Sequence, residues 1–417
     1  MTTCTKTCLR SGVAACAIFV SAGAAWAECG IESGSVRILS NDFAALHAIA
    51  EAAETCASDT VEVTRNQTED HKNIQVAALT TDPATYTVAV VATNSIVPLM
   101  NDDLIRPLND LVEQYGQQLT EGQLIRVNGD IVAIAFMANA QHLFYREDIL
   151  AENGLEVPTS YEEMFEVAQA LQDAGVMQTP IVSSFMPGWN VAAEFVNAYL
   201  GTGNEFFVPG TAELAIDNAD GLLVLETLKR MTDYMSADYA TYDSNAQMPV
   251  WEAGETALAI NWGSRSGAFI DAEAADQDIA AATRFAAAPT LGDTDIPSAA
   301  LWWDGFTIAK NISDEDAEAS FRAMMVGISP EMMAENMDAA VWLIDGYEAT
   351  PASMGVIGNL ESGAARPYPM LPYMGLLHTA LGDNLSDYLA GDESAEQALA
   401  DIEAAYNTAA TEAGFLN

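Results

Sequence analysis

Basic residues are scarce in this chain. Lys and Arg number 15 against 60 Asp and Glu, and the formal net charge is −45. So acidic a chain is repelled by nucleic acid and by anionic membrane surfaces, so neither is an expected partner. Outside the N-terminus there is no long apolar run, so no membrane-spanning helical body is expected. Cysteine is rare, five in 417 residues, and no C-x-x-C occurs. Thiol redox chemistry and cysteine metal sites are thereby excluded. Catalytic signatures are missing too: no G-x-S-x-G, H-E-x-x-H, G-x-x-x-x-G-K-[ST] or G-x-G-x-x-G. The four histidines, His47, His71, His142 and His378, show no metal-ligand spacing. No catalytic residue, metal or cofactor is expected, and the chain reads as a binder rather than an enzyme.

What is present begins with an address. Lys6 and Arg10 precede a small-residue apolar run, Val13–Ala25, and Ala25-Trp26-Ala27 is an A-x-A cleavage signature. Residues 1–27 are read as a signal peptide, and the mature chain as periplasmic. Three cysteines leave with that leader. Cys29 and Cys56 remain, and two cysteines in an exported protein are expected to pair. Half of the residues are apolar, enough for large cores. The length is more than one core usually fills, so two lobes are expected.

Strands then alternate with helices. Ser35–Ser40 reads as a strand, Phe43–Ala57 as a helix, Val61–Val63 as a strand, and Asn73–Leu79 as a helix. Tyr86–Ala92 is the near-continuous apolar run of a buried parallel strand. This βαβαβ rhythm predicts an open α/β sheet whose ligands sit beyond the carboxyl ends of the strands. That rule singles out Asn41-Asp42 and the loop carrying Asn94, although Asn, Asp and Ser there serve equally as helix caps. Helix starts are read at Ser160, Ser313 and Ser394, each followed by an amphipathic pattern. The methionines on these helices are assigned to core packing.

Aromatic placement carries more information about function. Trp189 stands between Gly188 and Asn190, Trp262 between Asn261 and Gly263-Ser264-Arg265, and Trp302-Trp303 before Asp304-Gly305. A large ring beside short polar groups suits a sugar. The C–H face of a pyranose packs on the ring while its hydroxyls need donors and acceptors together. The substrate-binding candidates read from these loops and clusters are therefore Asn41, Asp42, Asn94, Trp189, Asn261, Trp262, Arg265, Trp303 and Asp304. Trp189, Trp262 and Trp303 are the stacking rings. Arg265 pairs with a ring oxygen, or with a carboxylate if the guest is a sugar acid.

Four segments, VNGDIVAIAFMANAQHLFYREDILAENG at 127–154, VWEAGETALAINWGSR at 250–265, ALWWDGFTIAK at 300–310 and LAGDESAEQAL at 389–399, resemble in order and spacing the extracellular solute-binding proteins of bacterial ABC importers. The likeness is to the carbohydrate-binding family that includes maltose-binding protein. It implies a two-lobed, type II periplasmic binding fold, each lobe a mixed, mostly parallel sheet flanked by helices. One lobe would comprise residues 28–138 with 299–346, the other 139–298 with 347–417. Solute would be captured by lobe closure and delivered, by a monomer, to an inner-membrane permease. By position, Asn139 matches a cleft residue that is acidic in maltose-binding protein, and the resemblance thereby adds Asn139 to the substrate-binding candidates. His378 falls where a platform aromatic lies there, and this departure argues against maltodextrin. Polyols, sugar acids and oligopeptides stay open as guests, as does, at greater distance, a periplasmic carbohydrate-active hydrolase.

Overall fold

The computed structural model describes Met1, residues 29–271 and residues 276–417. The leader reading therefore falls almost wholly outside the described residues. Twelve strands are described: β1 (Gly34–Ser40), β2 (Val61–Gln67), β3 (Val88–Ala92), β4 (Leu124–Val127), β5 (Asp130–Asn139), β6 (Gln141–Arg146), β7 (Ile181–Val182), β8 (Leu258–Trp262), β9 (Thr283–Ala286), β10 (Ala300–Ile308), β11 (Val341–Trp342) and β12 (Arg366–Pro367). They build two sheets. The larger runs β11-β5-β10-β3-β1-β2, with β12 on β10 and β4 on β5; the smaller runs β7-β8-β6-β9.

The βαβαβ reading matches the first three strands. β1 pairs parallel with both β2 and β3, and the helices Ala44–Glu54 and His71–Thr80 connect them. All five residues of β3 are buried, which is why its sequence is continuously apolar. Both sheets are mixed, but parallel pairing does not dominate beyond this unit. β10 runs antiparallel to β3 and β5, β5 antiparallel to β4 and β11, and β6 antiparallel to β8 and β9. The cause is the chain path. β5 leads out of the large sheet into the small one, and β10 brings the chain back, so the return strand runs against the outgoing one.

Each sheet has its own core. Val36, Ile38, Val90, Ile134, Phe306 and Phe321 anchor the one under the large sheet. Leu143, Phe165, Phe195, Leu258, Leu377 and Ile402 anchor the larger core beside the small sheet. The caps read from sequence are formed: Ser160 Oγ accepts from Glu163 N, Ser313 from Asp316 N and Ser394 from Gln397 N. The helix that Ser160 starts, Tyr161–Asp173, buries Tyr161, Phe165, Ala168 and Leu171 on one face. Cys29 and Cys56 are disulfide-bonded, 27 residues apart in sequence, and fasten the start of the described body to the end of the first helix. No described helix is long and apolar enough to cross a membrane.

The passage between the sheets is short. β5 ends at Asn139 and β6 begins at Gln141, so Ala140 alone separates them. A buried polar network fixes this crossing to the others. Gln141 Nε2 donates to Glu194, Asn197 Nδ2 donates to Gln141 Oε1, and Asn197 Oδ1 accepts from Ala300 N at the start of β10. Asn359 Nδ2 donates to the Gln141 carbonyl while its Oδ1 accepts from Ala288 N.

Candidate functional site

The carboxyl ends of β1 and β2 and the β10 strand face the loop after β8 and the start of helix Trp189–Gly201. Between them lies a cavity of about 420 Å³, lined from both sheets. This is within the size range of small-molecule sites.

Three indoles form its apolar wall. Trp262, the last residue of β8, and Trp302 in β10 are each 7 % exposed, and Trp189 is half-buried at its helix start. Their ring centroids lie 5.8–6.1 Å apart: Trp189–Trp262 5.9 Å, Trp189–Trp302 6.1 Å, Trp262–Trp302 5.8 Å. Tyr368 backs Trp302 at 4.1 Å, and His378 stacks on Trp189 at 5.1 Å while its Nε2 lies 3.0 Å from the Trp189 carbonyl. Burial holds the His378 imidazole down at about 4, so it is a neutral ring at neutral pH. The position in doubt as a platform thus supports a platform from behind.

The polar wall is charged. Lys72 projects from the first turn of helix His71–Thr80, and its Nζ lies over the Trp189 ring, 4.2 Å from the centroid. Arg265 ends the short turn after β8; its guanidinium lies over Phe43 at 4.9 Å and reaches Ser264 Oγ and Ser244 Oγ at 3.4 and 3.5 Å. Asp304 sits in β10, one strand alternation beyond Trp302. Burial pushes its carboxyl up to about 6, against the pull of Lys72 and Arg265. Burial lowers the Lys72 ammonium to about 8, with Asp304 opposing, and lowers Arg265 as well. Three mutually dependent, half-buried charges in a cleft with aromatic walls are the pattern of a binding or reaction site.

Of the candidates read from sequence, Asn41, Asn139, Trp189, Trp262, Arg265 and Asp304 all line this cavity. Asn139 is largely committed: its Oδ1 accepts from Ala140 N and Ser264 N, and its Nδ2 donates to Ser264 Oγ. The other four lie elsewhere. Asp42 is exposed and pairs with His47. Asn94 faces a smaller hollow beside Pro98 and Pro372. Asn261 is fully buried, its Oδ1 accepting from Trp262 N and its Nδ2 donating to the Ser244 carbonyl, so it shapes the loop from behind. Trp303 packs on the large-sheet core, because neighbours in a strand point to opposite faces. Trp302 takes the place given to Trp303. That parity was available in sequence: Asp304 and Trp302 share a face. Lys72, Asn73 and Phe43 were also missed. The carboxyl-end rule that picked the loops after β1 and β3 applies equally to β2, whose following loop leads to Lys72. Among the described residues no group of three or more His, Cys, Asp or Glu is placed to hold a metal ion.

Residues 48–347 match the model of the bacterial extracellular solute-binding proteins. The chain belongs to that family. A curated Deinococcus radiodurans relative, named as an ABC transporter-binding protein, is 25% identical over 145 residues, which span 33% of this chain and 34% of the relative. Among solved structures, a solute-binding protein of Agrobacterium radiobacter K84 in complex with ribitol superposes with a TM-score of 0.76 at 19% identity, covering 90% of this chain and 98% of that one. Maltose-bound MalE3 of T. maritima gives 0.75 at 18%, covering 90% and 100%. An Agrobacterium vitis S4 protein with bound D-mannitol gives 0.75 at 16%, covering 92% and 100%. At these identities the likeness establishes the fold.

Proposed function

We propose that this chain is the periplasmic capture component of an ABC importer, holding a sugar or sugar derivative between two closing lobes for delivery to a permease, and that it works as a monomer. One observation carries the reading: three indoles converge on a cavity whose walls come from both sheets and whose polar groups interleave with the rings. The lobes in this reading are residues 28–138 with 299–346 and 139–298 with 347–417. The separate cores and the passage at Ala140 support that division.

Capture by closure has identifiable parts. Lys72 over Trp189, Arg265 over Phe43, and Asn245 Nδ2 donating to Glu69 all reach across the cavity from one lobe to the other. Rotation of the lobes would part these contacts and open the cleft. On closing, protein donors and acceptors replace water around the guest. A neutral hydrogen bond contributes a net ~0.5–1.5 kcal/mol, and micromolar binding needs about −8 kcal/mol. Several such bonds with one or two ring contacts are enough. Trp189 is the most exposed of the three rings and Lys72 covers part of it, while Trp262 and Trp302 are each 7 % exposed, so opening of the cleft must free ring surface for stacking.

A polyol is the second reading, favoured by the ribitol and mannitol complexes of the two Agrobacterium relatives. Tryptophan fluorescence titrated with maltose, D-glucose, D-galactose, ribitol and D-mannitol tests both, since ring-lined closure must change indole emission. Trp262→Ala is expected to weaken the best guest at least tenfold while thermal melting shows a folded chain. Unchanged affinity would remove Trp262 from the site.

A further inference from the structure

The few basic residues of this chain are nearly all engaged. Among the described residues, ten of the thirteen Lys and Arg beyond position 27 hold an ion pair with a carboxylate. An eleventh, Lys229, donates to the Leu389 carbonyl. The two left over, Lys72 and Arg265, both line the cavity. Arg265 is held from behind by its own lobe, Nη1 donating to Ser264 Oγ and Nη2 to Ser244 Oγ. Its guanidinium looks towards the other lobe. There it lies over Phe43, and the charges of Asp42, Glu69 and Asp304 bear on it from that side, with Asp243 from its own. A cation without a single ion-pair partner, set opposite three acids, attracts the whole facing wall.

The charge of the lobes says what that attraction works against. Residues 28–138 with 299–346 hold 7 Lys and Arg against 25 Asp and Glu, a net −18; residues 139–298 with 347–417 hold 6 against 35, a net −29. Two bodies of such like charge repel, and closing the cleft brings them nearer. The repulsion acts largely through solvent, so salt screens it: the Debye length falls from about 30 Å at ~0.01 M to about 8 Å at physiological ionic strength. Charges inside a half-buried cleft are screened much less. Salt therefore removes more of the repulsion than of the hold that Arg265 exerts where the lobes meet.

Resting on the closure reading above, we infer that Arg265 is the clasp that draws two like-charged lobes together, a positioning residue for capture, and that ionic strength sets how readily the cleft shuts. Lys72, reaching from the opposite lobe over the Trp189 ring, adds a second hold.

Small-angle X-ray scattering of the mature protein, extrapolated to zero protein concentration, tests this without a guest. The radius of gyration is expected to fall as NaCl rises from ~0.01 M to ~0.5 M, and Arg265→Gln should need more salt to reach the same value. Calorimetric titration with D-mannitol, ribitol, D-glucose and maltose gives the second reading. Any of these that binds should bind at least about threefold more tightly at the higher salt. Arg265→Gln should weaken it about tenfold at ~0.15 M NaCl, and ~1 M NaCl should bring it back to within about threefold of the parent at that salt. Melting curves show each protein folded at each salt. Salt that moves neither the radius of gyration nor any affinity would overturn the inference. So would Arg265→Gln matching the parent throughout. A loss that persists undiminished at ~1 M NaCl would make Arg265 a contact of the guest, and overturn the clasp as well. Failure of every compound to bind, with salt-driven compaction intact and dependent on Arg265, would remove the sugar-binding reading and leave the clasp standing.

Discussion

Single residues with shifted protonation set how this protein responds to pH. Glu194, 1 % exposed, accepts from Gln141 within the network at the crossing. Burial pushes its carboxyl up to about 8. A carboxyl raised on folding adds stability below its unfolded value near 4.5, and that contribution is lost as pH rises through 8. Glu194→Gln mimics the protonated form. Relative to the parent it is expected to gain on the order of 1–3 kcal/mol between pH 5 and pH 8.5, measured by denaturant unfolding at both. An identical difference at the two pH values would show that Glu194 does not titrate there. His71, His142 and His378 act in the opposite sense. Burial lowers each to about 4, so their contribution is present above 6.5 and lost as pH falls through 4. None of this was legible in the sequence, where Glu194 is one acid among many. Its shift comes from a helix that happens to bury it, and composition carries no record of that.

At the level of elements, strand β10 shows how a sequence pattern and its register divide the work. Trp302 and Asp304 turn into the cavity, and Trp303 turns into the large-sheet core. The pairing of β10 with β5 slips by one residue between Asp304 and Gly305. Such an irregularity bends a strand and re-aims the side chains beside it. Trp302→Ala should therefore weaken guest binding at least tenfold, whereas Trp303→Phe should leave it within twofold, both read by calorimetry on folded protein. The reverse order would mean that the alternation in β10 is misassigned. The three helix starts were legible because a serine cap and an apolar stripe are local signals. The cavity residues Lys72 and Phe43 were not, because each is brought to the cavity only by a ring or charge from a part of the chain distant in sequence. Asn261 lies behind the cavity for a related reason. A polar residue beside a tryptophan serves a guest or its own loop, and only the buried backbone partners decide.

For the molecule as a whole, the two-lobe plan was legible from length, the βαβαβ rhythm and the order of four family-like segments. The share of antiparallel pairing was not, since it follows from how the chain leaves and re-enters the large sheet. The disulfide belongs to this scale, because it ties the beginning of the described body to the large-sheet lobe. Closing a loop of this length stabilises a fold by roughly 3–4 kcal/mol in the chain-entropy model. The Cys29→Ser, Cys56→Ser double variant is expected to lose that amount in denaturant unfolding, with guest affinity unchanged because the bond lies away from the cavity. An equal loss of affinity would mean that the bond also governs closure.

Ala140 has a further consequence. Its carbonyl accepts from Gly263 N, and its own N–H is held by Asn139. Gly263 directly follows Trp262. In the proposed closure, a twist about this one residue, spread over β5 and β6, would act as a torsion bar with an indole fixed near its middle. Swinging the lobes apart therefore drags that ring, so an empty cleft and a filled one should differ in colour to a fluorimeter even when the guest itself never touches an indole.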